Sequence, residues 1–182
     1  NTTLTFHTLE DDIERDKILA LREIAPGNTV YFAGERFQIQ YARPRTEDAQ
    51  PITHQMRICE ECETILTSSK AETAAACPNC EHSFEETHPK MHTMEFPNQY
   101  AIPRGNITSD EEERIRKGYD INSYYELTAN VQSYAFGSDN NSTLTYEGNA
   151  RIVAVNSGPR NQADDSSIDG FALCTACNKW LL

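Results

Sequence analysis

The sequence has no apolar run approaching the roughly 20 consecutive residues that a membrane helix needs. Hydrophobic residues make up 38% of the 182 residues and the mean hydropathy is negative, so we expect no membrane partner. The chain begins Asn1-Thr2-Thr3-Leu4, without an initiator methionine, a basic segment or an apolar signal core. We therefore expect no secretory signal and interpret the sequence as an excerpt of a longer protein.

The signatures of the common catalytic sites are also missing. The sequence contains no Gly-x-x-x-x-Gly-Lys-Ser/Thr phosphate loop, no dinucleotide fingerprint, no Gly-x-Ser-x-Gly elbow and no His-Glu-x-x-His motif. We therefore predict no catalytic residues and no nucleotide-binding residues in this segment.

An excess of positive charge is missing as well. The chain carries 16 Lys and Arg residues against 28 Asp and Glu residues, a net charge of −12. That sign disfavours a module whose main task is to neutralise nucleic-acid phosphates, so such contacts must be local or made by other parts of the protein. The candidates for scattered phosphate contacts are Arg43, Arg45, Arg57, Arg104, Arg114, Arg116 and Lys117.

Aromatic residues are frequent between positions 119 and 136, but Lys and Arg are not interleaved with them. Stacking on nucleic-acid bases normally combines rings with a basic groove. We therefore interpret these residues as strand core and cross-strand pairs. They are Tyr119, Tyr124, Tyr125, Tyr134 and Phe136.

The sequence does contain six cysteines, all in three Cys-x-x-Cys pairs. This spacing suits two thiolates on one metal ion better than two halves of long-range disulfides, and it favours a reducing, cytoplasmic location. Four Asn-x-Ser/Thr sequons also occur. A chain rich in these residue types produces sequons by chance, so secretion is disfavoured.

The first two pairs predict one structural zinc site. Cys59 and Cys62 are separated by fourteen residues from Cys77 and Cys80, which matches a zinc ribbon in which each turn lies at the tip of a β-hairpin. Four thiolates leave no open coordination position, so this zinc should hold structure and not activate water. Zinc contributes about 10 to 16 kcal/mol to small zinc domains, so we expect the stretch to be disordered without metal.

Two other interpretations of these cysteines are a redox pair and fortuitous buried thiols. Redox Cys-x-x-Cys sites usually stand alone at a helix start within a βαβ unit, which is not the pattern here. Glu63 and Glu81 occupy positions where zinc ribbons often carry glycine at positive φ, which suggests wider turns. The nearby histidines could replace a sulfur, but four cysteines make loop or surface positions the better interpretation for them. They are His54, His82, His88 and His92.

The third pair, Cys174 and Cys177, has no partner pair before the sequence ends. We interpret it as half of a metal site that a further pair would complete. The alternative is an ordinary reduced pair.

The remaining patterns predict an α+β, β-rich fold: a zinc ribbon flanked by a short helix-hairpin unit and an antiparallel β segment. We predict helices over residues 9 to 24, stopped by Ala25-Pro26-Gly27, and over 109 to 118, with a capping box from Ser109 to Glu112. Predicted strands cover 29 to 32, 36 to 41, 124 to 134, 142 to 146 and 151 to 156, and predicted loops cover 43 to 50 and 157 to 169.

This organisation divides the chain into four consecutive segments. They are a helix plus β-hairpin lead-in (1 to 50), a zinc ribbon (51 to 92), a linker with a short helix (93 to 118) and a β-rich segment that ends in the incomplete Cys-x-x-Cys site (119 to 182).

Several segments, taken in order, resemble one family: the cysteine-containing C-terminal region of large DEAD/DEAH-type superfamily 2 helicases, including DISARM-type phage-defence helicases and mitomycin-repair helicases. The order of the pieces carries this resemblance, since each piece alone is common. The pieces are Ala25-Pro26-Gly27 before Val30-Tyr31 and Gly34; the first two cysteine turns; Ser109-Asp110-Glu111-Glu112-Glu113-Arg114 before Gly118-Tyr119; and Ile152-Val153-Ala154-Val155-Asn156-Ser157-Gly158 leading to Gly170-Phe171-Ala172-Leu173-Cys174 and Cys177.

The resemblance implies a region that follows two RecA-like motor domains, with zinc modules that brace the motor and border the nucleic-acid path. It places ATP only on motor domains absent from this chain, and it implies that Cys174 and Cys177 await two more cysteines downstream. The acidic balance and the glutamates after the turns depart from the family and argue against direct gripping of DNA by this portion.

The leading hypothesis is therefore a non-catalytic, structural zinc-binding accessory region of an ATP-dependent DNA helicase or translocase, in antiviral defence or DNA repair. Its expected partners are the motor domains of the same or a partner chain, and DNA through the parent complex. The alternative is a zinc-ribbon protein-interaction adaptor without a nucleic-acid role, which the acidic charge favours. A zinc-dependent hydrolase would need an open metal position, which four thiolates do not leave.

Overall fold

The computed structural model describes residues 1–85, 90–107, 118–126, 132–136, 142–146, 151–160 and 170–181. Within them the protein is β-rich with two short helices, which confirms the α+β class. The strands are β1 (Thr2–Phe6), β2 (Asp12–Arg15), β3 (Thr29–Phe32), β4 (Glu35–Arg43), β5 (Thr46–Glu47), β6 (Gln50–Pro51), β7 (His54–Ile58), β8 (Ile65–Thr67), β9 (Met91–Thr93), β10 (Asn98–Asn106), β11 (Tyr119–Glu126), β12 (Gln132–Phe136), β13 (Ser142–Tyr146), β14 (Arg151–Pro159), β15 (Ala172–Leu173) and β16 (Trp180–Leu181). The helices are α1 (Lys17–Glu23) and α2 (Ser69–Thr73).

The chain forms two compact units, each built from separated segments. The first unit comprises Asn1–Thr53, Met94–Asn122 and Val155–Leu182, and the second comprises His54–Thr93 and Ser123–Ala154. The four predicted segments were consecutive, whereas these units interleave along the sequence.

A five-stranded sheet in the order β2-β1-β10-β4-β3 forms the centre of the first unit. Only β1 and β10 run parallel; the other neighbouring strands are antiparallel. The hairpin of β3 and β4 confirms the one predicted around residues 33 to 35. One face of this sheet carries the core, which buries Leu4, Phe6, Ala20, Ile24, Phe37, Ile39 and Ala101.

The predicted helix over residues 9 to 24 is wrong in its first half. Residues 12 to 15 instead pair with β1, where Ile13 lies opposite Leu4 and packs against the core. The helix begins only at Lys17, because the side chain of Asp16 caps it by accepting a hydrogen bond from the backbone N–H of Ile18 at 3.0 Å. A strand neighbour thus decides the conformation of a segment whose apolar spacing also fits a helix.

Smaller differences appear at three other places. A two-residue hairpin of β5 and β6 occupies part of the loop predicted over 43 to 50. The strand predicted over 124 to 134 is replaced by β11, which begins earlier, and by β12. Strand β14 extends to Pro159, beyond the predicted loop start at 157. Of the helix predicted over 109 to 118, residues 109 to 117 lie outside the described residues, as does the remaining part of the predicted loop, 161 to 169.

In the second unit, β7 pairs with both β8 and β9 to form a three-stranded antiparallel sheet, and β12 pairs with β13. Its core buries two cysteines together with Leu66, Ala71 and Phe84. The core of the second unit thus contains two thiol side chains, whereas the core of the first unit is built from aliphatic and aromatic residues.

Candidate metal centre

The first cysteine turn, residues 59–64 (knuckle A), connects β7 to β8. The backbone N–H of Cys59 donates to the carbonyl of Thr64 at 3.0 Å, and the N–H of Glu63 donates to the carbonyl of Cys59 at 2.9 Å. These two bonds close the turn at the tip of the hairpin, as the zinc-ribbon interpretation predicts.

The second turn, residues 77–82 (knuckle B), repeats this arrangement. Cys77 donates from its N–H to the carbonyl of His82 at 2.8 Å, and Glu81 donates to the carbonyl of Cys77 at 3.0 Å. Beside the turn, a bridge between Ala76 and Ser83 and a hydrogen bond from the N–H of Phe84 to the carbonyl of Ala75, at 2.8 Å, form a short hairpin. Knuckle B therefore depends mainly on its own turn and on its packing against knuckle A.

The expectation that glutamate widens these turns is wrong. Glu63 and Glu81 adopt φ angles of 57° and 61°, the left-handed conformation that glycine would provide. Such a conformation costs a residue with a Cβ about 1 kcal/mol. Both turns nevertheless keep the backbone hydrogen bonds described above, so this conformational cost does not displace the ligand cysteines.

The two knuckles bring four sulfurs together. The Sγ atoms of Cys59 and Cys80 lie 3.5 Å apart, as do those of Cys62 and Cys77, and all four lie within 4.8 Å of one another. Four sulfurs bound at about 2.3 Å in a tetrahedron are about 3.8 Å apart. The cluster therefore has the size and donor set for one metal ion such as zinc.

The electrostatics of the cluster favour a cation. Burial raises the pKa of Cys62, but hydrogen bonds from Thr64 and Asn79 outweigh it and lower that pKa to about 6. A backbone N–H from His82 favours the thiolate of Cys80, yet desolvation and the three neighbouring sulfurs raise its pKa to about 12. Desolvation likewise raises the pKa of Cys77. The Cys62 thiolate therefore forms readily, whereas Cys77 and Cys80 keep their protons until a metal ion supplies positive charge.

Tyr125 on β11 connects the two knuckles. Its hydroxyl donates to the backbone carbonyl of Cys62 at 2.7 Å and accepts from the Asn79 side-chain amide at 3.3 Å. The backbone of Thr64 also pairs with that of Tyr125. The sequence interpretation placed Tyr125 in a strand core, and nothing in the sequence signals this bridge across more than 60 positions.

Arg57 belongs to the interior of this unit and not to a phosphate-binding surface. Only 5% of its surface is exposed. Its guanidinium donates to the carbonyl of Ala74 at 3.0 Å and lies 5.0 Å from the ring centre of Phe84. The candidate phosphate contact at Arg57 is therefore wrong. Its buried positive charge contacts Phe84, which belongs to the core that also holds Cys59 and Cys77.

Three of the other candidate basic residues each contact a neighbouring side chain. Arg43 lies over the ring of Tyr100, Arg45 pairs with Glu95, and Arg104 donates to Gln38. All three are exposed. Arg114, Arg116 and Lys117 lie outside the described residues, as does His88.

Among the described residues, the four cysteines form the one group of three or more metal-ligating side chains. His54, His82 and His92 do not belong to it. Cys174 and Cys177 lie in the first unit, on the turn between β15 and β16, and no third ligand joins them in the part of the chain that the structure describes.

Comparison with protein-family models, curated proteins and solved structures gave no match to this chain. In the described residues, no helix is both long and apolar enough to cross a membrane.

Proposed function

We propose that this chain is a structural zinc-binding region in which Cys59, Cys62, Cys77 and Cys80 hold one ion. The observation that carries this proposal is the mutual distance of the four sulfurs, all within 4.8 Å. Four thiolates fill a tetrahedral shell and leave no position for water, so the ion braces the fold. The two knuckles have little secondary structure in common, so the bound metal stabilises them in place of a larger hydrophobic core.

We further propose that this region is an accessory of an ATP-dependent DNA helicase or translocase, in antiviral defence or DNA repair. Support for this step comes from the ordered resemblance of four sequence segments to the C-terminal region of such enzymes. ATP binding and hydrolysis would belong to motor domains elsewhere. Hydrolysis of ATP by this chain alone would contradict the proposal.

In this role the mechanism is architectural. Zinc fixes the second unit as a rigid β module, and its surface packs against a motor domain. Exposed basic side chains such as Arg43, Arg45 and Arg104 would border the DNA path, each as a weak phosphate contact. The net charge of −12 keeps such contacts local.

Metal content tests the first proposal. Protein purified without added chelator should contain zinc, and Cys59→Ser should lose it together with the fold of the second unit. His54→Ala is the matched control, because His54 is exposed and lies outside the sulfur cluster; it should keep its zinc. Equal zinc in wild type and Cys59→Ser would refute the assignment.

The net charge of −12 favours one alternative function, a protein-interaction adaptor that does not contact nucleic acid. DNA binding as a function of salt separates the two. An affinity that falls as salt rises supports the helicase accessory, and Arg43→Ala with Arg104→Ala should reduce its salt dependence. No binding by the parent protein at low salt would favour the adaptor, while leaving the zinc assignment intact.

A further inference from the structure

The third cysteine pair has the same backbone turn as the two zinc knuckles. In residues 174–179 (knuckle C), the N–H of Cys174 donates to the carbonyl of Lys179 at 2.9 Å, and the N–H of Asn178 donates to the carbonyl of Cys174 at 2.7 Å. Asn178 has a φ angle of 57°, the same as Glu63 in knuckle A. The chain thus repeats the same turn with a residue other than glycine in the left-handed region, and asparagine adopts that region more readily than most residues.

The sulfur of Cys174 also has the surroundings of a knuckle ligand. It accepts hydrogen bonds from the backbone N–H groups of Cys177 and Ala176. In knuckle B, Cys77 receives the corresponding bonds from Cys80 and Asn79. Backbone N–H groups aimed at a sulfur stabilise the thiolate form that binds metal.

Knuckle C is held firmly by the first unit. Trp180, which follows it in β16, donates from its indole N–H to the buried Gln99 side chain at 2.9 Å, and Phe171 packs on the Trp180 ring at 5.8 Å. On the other side, the N–H of Ala42 donates to the carbonyl of Asn178 at 2.9 Å. Both thiols are therefore positioned before any ligand arrives, which lowers the entropic cost of binding.

The alternative of a redox pair fits this site poorly. Redox Cys-x-x-Cys pairs usually stand at a helix start, whereas knuckle C lies between two strands. Cys177 is exposed and Cys174 is half-buried, so an incoming metal ion and its other ligands can reach both sulfurs.

We propose that Cys174 and Cys177 bind a second divalent ion of the zinc class through their two sulfurs, with the remaining positions filled by ligands that the described residues do not supply. A second copy of the chain, presenting its own knuckle C, is one source of two such sulfurs. Another is a separate ligand-bearing segment or solvent. The proposal does not depend on the helicase assignment, and it concerns different cysteines from the first zinc site.

Cobalt titration of the reduced, metal-free chain tests this proposal. The single tryptophan, Trp180, pairs directly with Leu173 next to Cys174, so Co²⁺ in knuckle C should quench its fluorescence. Wild type should bind more cobalt than Cys174→Ser/Cys177→Ser and show quenching that this variant lacks. If wild type binds half an equivalent of cobalt per chain more than the double serine variant and also dimerises, a second copy is the ligand source. If it binds one equivalent more and stays monomeric, other ligands complete the site.

Two further variants keep the test decisive. Thr175→Ala changes the same turn but retains both sulfurs, so it should behave as wild type. Cys177→His exchanges one sulfur for a nitrogen ligand; it should still bind cobalt, with about half the sulfur-to-cobalt charge-transfer intensity of the knuckle C signal. Equal cobalt uptake and equal Trp180 quenching in wild type and the double serine variant would overturn the proposal. The first site is unaffected by that outcome, because its own loss is read from Cys59→Ser.

Discussion

Replacing Tyr125 by phenylalanine should weaken zinc binding although no ligand is changed. The hydroxyl makes one short hydrogen bond to the Cys62 carbonyl, at 2.7 Å, and one longer bond from Asn79, at 3.3 Å. A net hydrogen bond contributes about 0.5 to 1.5 kcal/mol, so loss of both should cost about 1 to 2 kcal/mol. That corresponds to a roughly 5- to 30-fold weaker affinity, as is usual for groups that support metal ligands.

Competition with a chromophoric chelator measures this change at constant pH. Tyr134→Phe is the matched control, because the exposed Tyr134 hydroxyl donates to Gln132 on its own strand, at 3.1 Å, and lies outside the sulfur cluster. Asn79→Ala and the double variant complete a cycle, in which the two losses should be less than additive. An affinity for Tyr125→Phe within twofold of wild type, or equal losses in Tyr125→Phe and Tyr134→Phe, would refute the bridging role.

Three further outcomes follow from individual side chains. Arg57→Met should lower the free energy of unfolding of the zinc-loaded second unit by about 1 to 3 kcal/mol, since a buried hydrogen bond and a ring contact are lost; an unchanged thermal midpoint would contradict this. Trp180→Phe should lower the free energy of unfolding of the first unit by a similar amount, because it leaves the fully buried Gln99 oxygen without its donor. Chemical denaturation measures this change. A loss below the error of the fit would argue against a stabilising role for the Trp180–Gln99 hydrogen bond. Zinc binding at pH 7 should release at least two protons, because Cys77 and Cys80 have raised pKa values and keep their protons without metal, and zinc affinity should fall as pH is lowered. An indicator dye in weak buffer measures the release, and its absence would show that these two thiols are already ionised.

The main features of the candidate site follow from local spacing. Two Cys-x-x-Cys turns separated by fourteen residues predict hairpin tips whose sulfurs converge, because each turn geometry is set within six residues. The same argument does not reveal Tyr125 or Arg57. Their roles arise from the tertiary path of β11 and from packing on Phe84, and an aromatic or a basic residue in a strand has many commoner uses.

The fold was predictable where neighbouring residues determine it and not elsewhere. The β3-β4 hairpin has its own turn, so its position follows from sequence. Strand β1 has no such signal: it pairs in parallel with β10, which lies more than 90 residues away. Strand β1 also pairs with residues 12 to 15, which is why the helical spacing of Ile13 is misleading.

The most direct test of the central claim is X-ray absorption at the zinc edge of the Cys174→Ser/Cys177→Ser chain, in which only the first site can bind through cysteine sulfur. A closed structural site predicts one zinc per chain with four sulfur neighbours at about 2.3 Å and no lighter ligand. A nitrogen or oxygen neighbour in the first shell, or protein without bound zinc, would contradict it.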